Sequence, residues 1–342
     1  MEHLLYLNGQ EVKKICQDID AVALIRQVFQ LHRAGETILP DEAYLGWNTP
    51  HNETVRSLNM PAYLGGRFQS AGTKIINSNP KNVGRGLPRA SGLTMVFDSE
   101  TTQIRCMMEG SYISALRTAS VSMLCLQRLS HGEARRIAII GSGAIGKAHL
   151  GLALSTFPLL EEIALFDLDR SAAEKMAAEA QASSKTKVTF HIMSDAKSAV
   201  QFSLGVVFAT TVTNGYVPYS WLNPGTVAVN VSLDDLNEDA YLRCDHLFVD
   251  DWGLVRADSR RLLGKLYREG KIAGPNDTLP DQSVRKVDGE IGDLFSGHHP
   301  GRKKADDIIV VNPFGLAIED VAFATEVYAL AKQRNLGTLL PR

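Results

Sequence analysis

The 342-residue chain is short of most features that assign a protein to a specialised class at sight. It has only four cysteines, Cys16, Cys106, Cys125 and Cys244, and no two stand at the spacing of a metal knuckle or a redox pair. That excludes a disulfide-stapled scaffold and a cysteine-ligated zinc module, and it suits four reduced thiols in a cytoplasmic protein. The formal net charge is only -2, so no global electrostatic attraction to nucleic acid or to an anionic membrane is expected. No apolar run approaches the roughly twenty residues that cross a bilayer. The start, Met1-Glu2-His3-Leu4-Leu5-Tyr6-Leu7-Asn8, lacks the basic opening and longer apolar core of a secretion signal. Internal repeats and low-complexity tracts are missing too. What the chain does have is core material, 44% hydrophobic residues, enough for one large or two medium domains.

Two kinds of pattern divide that material. Residues 1 to about 40 read as a short strand, Leu4–Leu7, and one amphipathic helix in which Ile19, Val22, Ile25, Val28, Phe29 and Leu31 recur near helical spacing, with Gly35 as its stop. From Thr54 to Asp98, short apolar runs are separated by Gly, Pro and Asn clusters, the pattern of an antiparallel sheet. A strand over 103–108 leads into a long helix over 113–129, and His131-Gly132-Glu133 marks a junction. Beyond it, candidate strands at 137–141, 163–167, 188–192, 205–210, 226–231 and 246–250 alternate with helical patterns, which predicts a doubly wound parallel sheet. Ser259–Glu269 reads as a polar helix, and 270–306 as loop with one short helix. Gly297-His298-His299-Pro300 sets two histidines side by side without companion ligands, so a solvated turn and no metal site are expected. A strand over 307–311 precedes a final helix from Leu316 to Arg334, whose Ala-rich face needs a partner in the first domain.

The parallel half opens on Arg136-Ile137-Ala138-Ile139-Ile140 and then Gly141-Ser142-Gly143-Ala144-Ile145-Gly146. In a strand–turn–helix setting Gly141 allows the tight turn, Gly143 admits a pyrophosphate and Gly146 lets the helix pack on the strand. The helix N-terminus, at Ala144 and Ile145, then offers free N–H groups and a partial positive charge to the phosphates. About twenty residues on, a second buried strand ends in Asp167, where ribose hydroxyls sit in dinucleotide folds. A carboxylate there repels a 2′-phosphate and favours NAD; Arg170 keeps NADP as the alternative. Thr211 and Thr213 follow the fourth strand and are candidates to line the nicotinamide, as is Ser232 after the fifth.

Other polar residues stand in unusual places. Lys74 interrupts the apolar strand Thr73-Lys74-Ile75-Ile76, either to snorkel to solvent or to serve a site. Arg117, near the head of an almost uncharged helix, needs a carboxylate, either a ligand's or one of the protein's own. Arg56 is less telling taken alone. Asp234 and Asp235 close the fifth strand, where one carboxylate suits a substrate amine or proton relay and one suits an N-cap for the segment from Leu236.

Taken together, Leu5-Tyr6-Leu7, Met60-Pro61-Ala62-Tyr63-Leu64-Gly65-Gly66, Lys74 to Asn77 with Asn79-Pro80-Lys81-Asn82, Ile113-Ser114-Ala115-Leu116-Arg117-Thr118-Ala119, the glycine loop and Leu316-Ala317-Ile318-Glu319-Asp320 resemble the ornithine cyclodeaminase/mu-crystallin family. The resemblance implies a homodimer with two domains. One is an α+β substrate-binding and dimerisation domain from 1–130 and 312–342; the other is a Rossmann NAD-binding domain from 131–311, with substrate in the cleft. It implies that Arg56 and Arg117 clamp a substrate carboxylate, that Lys74 contacts it and moves protons, and that Asp235 is the cleft aspartate. The stretch Ser232-Leu233-Asp234-Asp235-Leu236-Asn237-Glu238 departs from the Gly-Gly-Asp-x-Pro-Gly-Lys pattern of ornithine cyclodeaminases. Phe248-Val249-Asp250-Asp251-Trp252 and Val310-Val311-Asn312-Pro313-Phe314 resemble instead the branch of N-(2-amino-2-carboxyethyl)-L-glutamate dehydrogenases. In that branch the enzyme releases 2,3-diaminopropionate for siderophores or peptide antibiotics, downstream of a synthase that uses pyridoxal phosphate. The alternatives are ornithine cyclodeaminase, an alanine- or opine-type dehydrogenase, a ketimine reductase, and a crystallin-like protein that binds nucleotide without turnover.

Overall fold

The two strand patterns form two separate sheets, each within its own compact unit. The computed structural model describes residues 3–132, 134–183, 187–279 and 283–341. Met1 and Glu2, and Glu133 of the expected junction, lie outside the described residues. One unit comprises Met1–Arg117 and Gly315–Arg342, the other Thr118–Phe314. The division therefore falls inside the helix Ser111–Leu129, directly after Arg117, and not at the Gly-containing turn that follows the helix.

In the first unit, Thr54–Leu64, Ser70–Ser78, Ala90–Phe97 and Ile104–Glu109 form an antiparallel meander. His3–Leu7 joins parallel to Ile104–Glu109, and Thr338–Pro341 pairs antiparallel with His3–Leu7 to finish that edge. The last strand is too short to announce itself; only its partner makes it one. At the far edge Thr37–Ile38 and Ala43–Asn48 both pair with Thr54–Leu64. The single N-terminal helix expected from periodicity is two, Gly9–Cys16 and Ala21–Arg33. Each has its own start: Asn8 and Glu11 make a reciprocal capping box, and Asp20 accepts from Ala23 N at 3.0 Å. A cap outranks a continuous apolar stripe because it satisfies N–H groups that the stripe cannot.

Residues paired across antiparallel strands share a face, so Met60, Lys74, Thr94 and Met108 form one row across the sheet. All four are buried, and the helix Ala317–Arg334 packs on the strands Thr54–Leu64, Ser70–Ser78 and Ala90–Phe97. Gly72 permits that approach: a Cβ there would stand 3.1 Å from the Val321 side chain and 2.4 Å from Met95 O. The helix thereby lowers its first turn, with Glu319 and Asp320, onto the sheet.

Among the described residues the second unit holds an eight-stranded sheet, parallel throughout. From one edge it runs Thr189–Ile192, Glu162–Phe166, Arg136–Ile140, Gly205–Phe208, Val227–Asn230, Ile309–Asn312, His246–Val249 and Gly289–Glu290. Chain order reverses at Arg136–Ile140, the switch point of a doubly wound sheet. The central strands are buried on both faces, as their unbroken Val, Ile, Leu and Phe runs predict. The segment 270–306 has more order than its composition suggests. Besides the short helix Ile291–Phe295, it contributes the paired strands Ile272–Ala273 and Arg285–Lys286 and the edge strand Gly289–Glu290.

Candidate active site

The glycine loop takes the form its spacing predicts. Gly141 has φ +104°, and a Cβ there would lie 2.6 Å from Ala209 O. At Gly146 a Cβ would fall 1.9 Å from Gly141 O, so helix and turn meet only because the side chain is missing. Gly143 is the N-cap of the helix Ala144–Thr156 and provides no side-chain cap, and nothing lies within 4 Å of where its Cβ would be. Gly143 and Ala144 are exposed, and Ile145 is half-buried. An uncapped helix N-terminus facing open space fits a pyrophosphate: its first N–H groups lack side-chain acceptors and carry the positive end of the dipole. Asp167, half-buried at the end of Glu162–Phe166, accepts from Ser142 N at 2.6 Å and from Asp169 N at 2.9 Å. It therefore sits against the loop, where ribose hydroxyls are read. Arg170 is turned to Glu174, at 2.9 Å, in an exposed i,i+4 pair. These residues fit a dinucleotide with an unmodified ribose.

The end of the fifth strand holds a surprise. Asp235 has no exposed surface and is ringed by hydroxyls: Thr210 Oγ1 at 2.8 Å and Tyr216 OH at 3.0 Å donate to Oδ1, and Ser232 Oγ meets Oδ2. Burial, with the nearby Asp234 charge adding to it, raises its pKa to about 6, although the Thr210 and Tyr216 hydrogen bonds pull the other way. The sequence named Asp235 and Ser232 but missed Thr210 and Tyr216, whose hydroxyls lie 25 and 19 residues away in the chain. Asp234 plays a different part, because its Oδ1 accepts from Leu262 N at 2.8 Å and so holds the start of the helix Leu262–Arg268. The N-cap expected for the segment after Leu236 is thus corrected to a cap on a helix far along the chain. Thr211 and Thr213 are exposed on the loop after Gly205–Phe208. The dehydrogenase-like stretches are likewise used within the unit: Asp250 accepts from Phe314 N at 2.6 Å, and Asp251 caps Trp252–Ala257 through Leu254 N at 2.7 Å.

In the first unit, Lys74 and Arg117 come together on the final helix. Lys74 is 1% exposed, so it does not snorkel, and its Nζ donates to Asp320 Oδ2 at 2.7 Å. Arg117 Nη1 donates to Glu319 Oε2 at 2.8 Å, with Nε 3.4 Å from Asp320 Oδ2. The guanidinium lies on Gly315, whose Cβ would fall 2.3 Å from Nη1. Two cations and two carboxylates, all buried, balance one another. Burial pushes the lysine pKa down; Asp320 draws it up, Arg117 down again, and the net direction is down. Asp320 Oδ1, buried, has no hydrogen-bond partner among the described residues. Arg56 is half-buried on the same face but pairs across with Ser78. That sets it four residues along the strand from Met60, the partner of Lys74, about 14 Å of backbone.

One unit with a wholly parallel doubly wound sheet and an open glycine turn, and a second with a buried Lys–Arg–carboxylate set, define a two-domain oxidoreductase. The chain belongs to the ornithine cyclodeaminase/mu-crystallin family, whose model matches residues 15–335. It is 30% identical to the N-((2S)-2-amino-2-carboxyethyl)-L-glutamate dehydrogenase of Staphylococcus aureus over 98% of each chain. Among solved structures it resembles CmnK, at 34% identity and a TM-score of 0.89, covering 99% of this chain and 98% of that one. An archaeal alanine dehydrogenase dimer with bound NAD shares the fold, at 23% identity and a TM-score of 0.82 over 99% of both chains.

Proposed function

We propose that the protein catalyses the NAD-dependent oxidative cleavage of N-(2-amino-2-carboxyethyl)-L-glutamate, giving L-2,3-diaminopropionate and 2-oxoglutarate, and that it works as a cytoplasmic homodimer. It is an NAD-dependent oxidoreductase that acts on a CH–NH bond of an amino-acid substrate. One observation carries the chemistry: the buried Lys74, paired with Asp320 and set beside the Arg117–Glu319 pair. The choice of substrate rests on the likeness to the Staphylococcus aureus enzyme over nearly the full length of both chains. The departure of residues 232–238 from the ornithine cyclodeaminase pattern supports that choice, since Asp235 is here held by Ser232, Thr210 and Tyr216.

Gly141–Gly146 and Asp167 would hold NAD, which would supply the hydride acceptor. Arg117 orients the glutamate carboxylate so that the Cα–H bond that breaks is fixed in direction, which is catalysis by positioning. Loss of hydride from Cα leaves a C=N bond to the bridging nitrogen. Water adds to that carbon, and the C–N bond then breaks to yield the keto acid and the free amine. The sum consumes one substrate, one NAD+ and one water, and releases one NADH and one proton. Lys74, with its pKa depressed by burial, exchanges protons with the bridging nitrogen or the added water closer to neutrality than an exposed lysine does. Asp235 keeps the end of the fifth strand in shape through its three hydroxyl contacts. An upstream enzyme that uses pyridoxal phosphate to join glutamate to an activated serine would supply the substrate.

The dimer is supported by the strand Ala43–Asn48, an edge strand that is exposed along its length and carries Tyr44, Leu45 and Trp47 at 51%, 62% and 47% exposure. Edges of that kind are normally covered or charged. Incubation with NAD+ and the adduct, ornithine or alanine in turn tests the assignment. NADH together with diaminopropionate and 2-oxoglutarate from the adduct is expected. Proline and ammonia from ornithine without net NADH, or NADH and pyruvate from alanine alone, would assign a different activity, and no turnover with any of them would mark a binding protein.

A further inference from the structure

The paired histidines of the 297–300 turn do have companions, and the fold brings them from far along the chain. His246, Asp288 and His299 each offer a ligand atom, and these atoms lie within 4.8 Å of one another. His246 is 5% exposed. Its Nε2 is 3.2 Å from Asp307 Oδ2, a carboxylate oxygen that also accepts from Lys303 N and Lys304 N, so Nε2 is the nitrogen that carries a proton. Nδ1 is buried, has no hydrogen-bond partner among the described residues, and faces Asp288 Oδ1 at 3.5 Å. A lone pair aimed at a carboxylate oxygen is unfavourable unless something positive lies between them. Asp288 is meanwhile fixed by its other oxygen, which accepts from Leu247 N at 2.8 Å and Arg285 Nη2 at 2.7 Å. His299 Nδ1 accepts from Gly301 N at 3.0 Å, and its ring lies edge-on to Phe248 and His246.

We propose that His246 Nδ1, a ring nitrogen of His299 and Asp288 Oδ1 bind a divalent transition-metal ion of the zinc type, with water completing the coordination. Two imidazoles and one carboxylate suit such an ion and not calcium or magnesium. The Asp307–His246 contact is the carboxylate–histidine support that fixes tautomer and ring orientation at metal sites. Ligand bonds of about 2.1 Å set tetrahedral ligand atoms roughly 3.4 Å apart, close to the His246–Asp288 separation. Both imidazoles bind as neutral rings, each through its unprotonated nitrogen, and each keeps one ring proton. The site belongs to the rim of the sheet away from the glycine loop. His246 begins its strand, Asp288 immediately precedes Gly289–Glu290, and Asp307 precedes Ile309–Asn312, whereas the loop follows the carboxyl end of Arg136–Ile140. The ion therefore clips the 297–307 segment to the sheet edge and takes no part in hydride transfer.

Full-length protein stripped with a chelator and titrated with Zn2+ or Co2+ by calorimetry tests this, with Co2+ absorption spectra recorded alongside. One ion per chain is expected, with the visible bands of a low-symmetry nitrogen–oxygen site. His298→Ala should bind as the unaltered protein does, His299→Ala should lose binding by at least about tenfold, and Asp307→Asn should weaken it by about 10–100-fold. Unchanged NAD+ affinity in His299→Ala shows that the second unit is folded. No uptake, equal uptake by His299→Ala, or Co2+ bound without such bands overturns the proposal. So does a His246 ring that nitrogen NMR finds protonated at both positions and indifferent to added Zn2+, because a salt-bridged imidazolium then satisfies the two aspartates.

Discussion

Replacement of Lys74 by methionine probes the buried charge set most directly. Methionine keeps the unbranched stem as far as Cε and removes the ammonium, leaving Asp320, with no exposed surface, dependent on Arg117 Nε at 3.4 Å. Removing one member of a buried pair costs about 3–5 kcal/mol, because the remaining ion keeps its desolvation penalty. The residual Arg117 contact places Lys74→Met near the lower end, about 3 kcal/mol. For a unit of 145 residues (117 from Met1–Arg117 plus 28 from Gly315–Arg342) that is a fall of about 10 °C in its melting midpoint. The double variant Lys74→Met, Asp320→Leu removes both charges and should recover to within about 1 kcal/mol of the starting stability. Calorimetric melting of the three proteins at one pH is the assay. Activity separates from stability here: both variants should lose turnover at temperatures well below their melting points, and with it the pH dependence that Lys74 imposes. Depression of the lysine pKa means that the unfolded chain holds this proton more tightly. The unaltered protein should therefore gain stability as pH rises from the folded pKa toward 10.5, and the Lys74→Met variant should lack that slope. A single variant as stable as the parent, or a double variant no better than the single, would refute the desolvation argument; full turnover in Lys74→Met with an unchanged pH profile would remove the residue from the mechanism.

Asp235, with a pKa raised from 3.8 to about 6, stabilises the fold below pH 3.8 relative to higher pH, and that contribution is lost as pH rises through 6. Asp235→Asn should therefore melt higher than the parent at pH 8, by up to about 3 kcal/mol in stability, with the advantage gone at pH 4; equal melting curves at both would contradict it. Asp167→Ser should weaken NAD+ binding by about 10–100-fold through loss of a charged acceptor while narrowing the preference over NADP+, as measured by fluorescence titration. Trp47→Glu should shift the sedimentation coefficient from dimer to monomer at micromolar concentration, and an unshifted boundary would place the interface elsewhere.

The glycine loop was legible because each glycine answers a local demand: a positive φ at Gly141, open space at Gly143 and a backbone contact at Gly146. The parallel strands were legible for a related reason, since a strand buried on both faces must be apolar throughout. Asp167 followed from its distance along one β–α–β unit. What the sequence could not contain is the identity of partners brought together from afar. It set Lys74 and Arg117 in apolar surroundings, and it placed Glu319 and Asp320 at a helix start. Only the packing of Ala317–Arg334 on the sheet made them one neutral cluster, across 246 residues in the case of Lys74 and Asp320. Asp235 was named for the right strand end, yet its hydroxyl ring depended on loops folding over it. His299 looked solvated because its companions, His246 and Asp288, lie elsewhere in the sequence and meet it only where the starts of parallel strands line up. Local conformational cost is written residue by residue, so a single sequence reveals it. The burial of a charge, and the partner that makes the burial tolerable, are properties of a surface that exists only after folding.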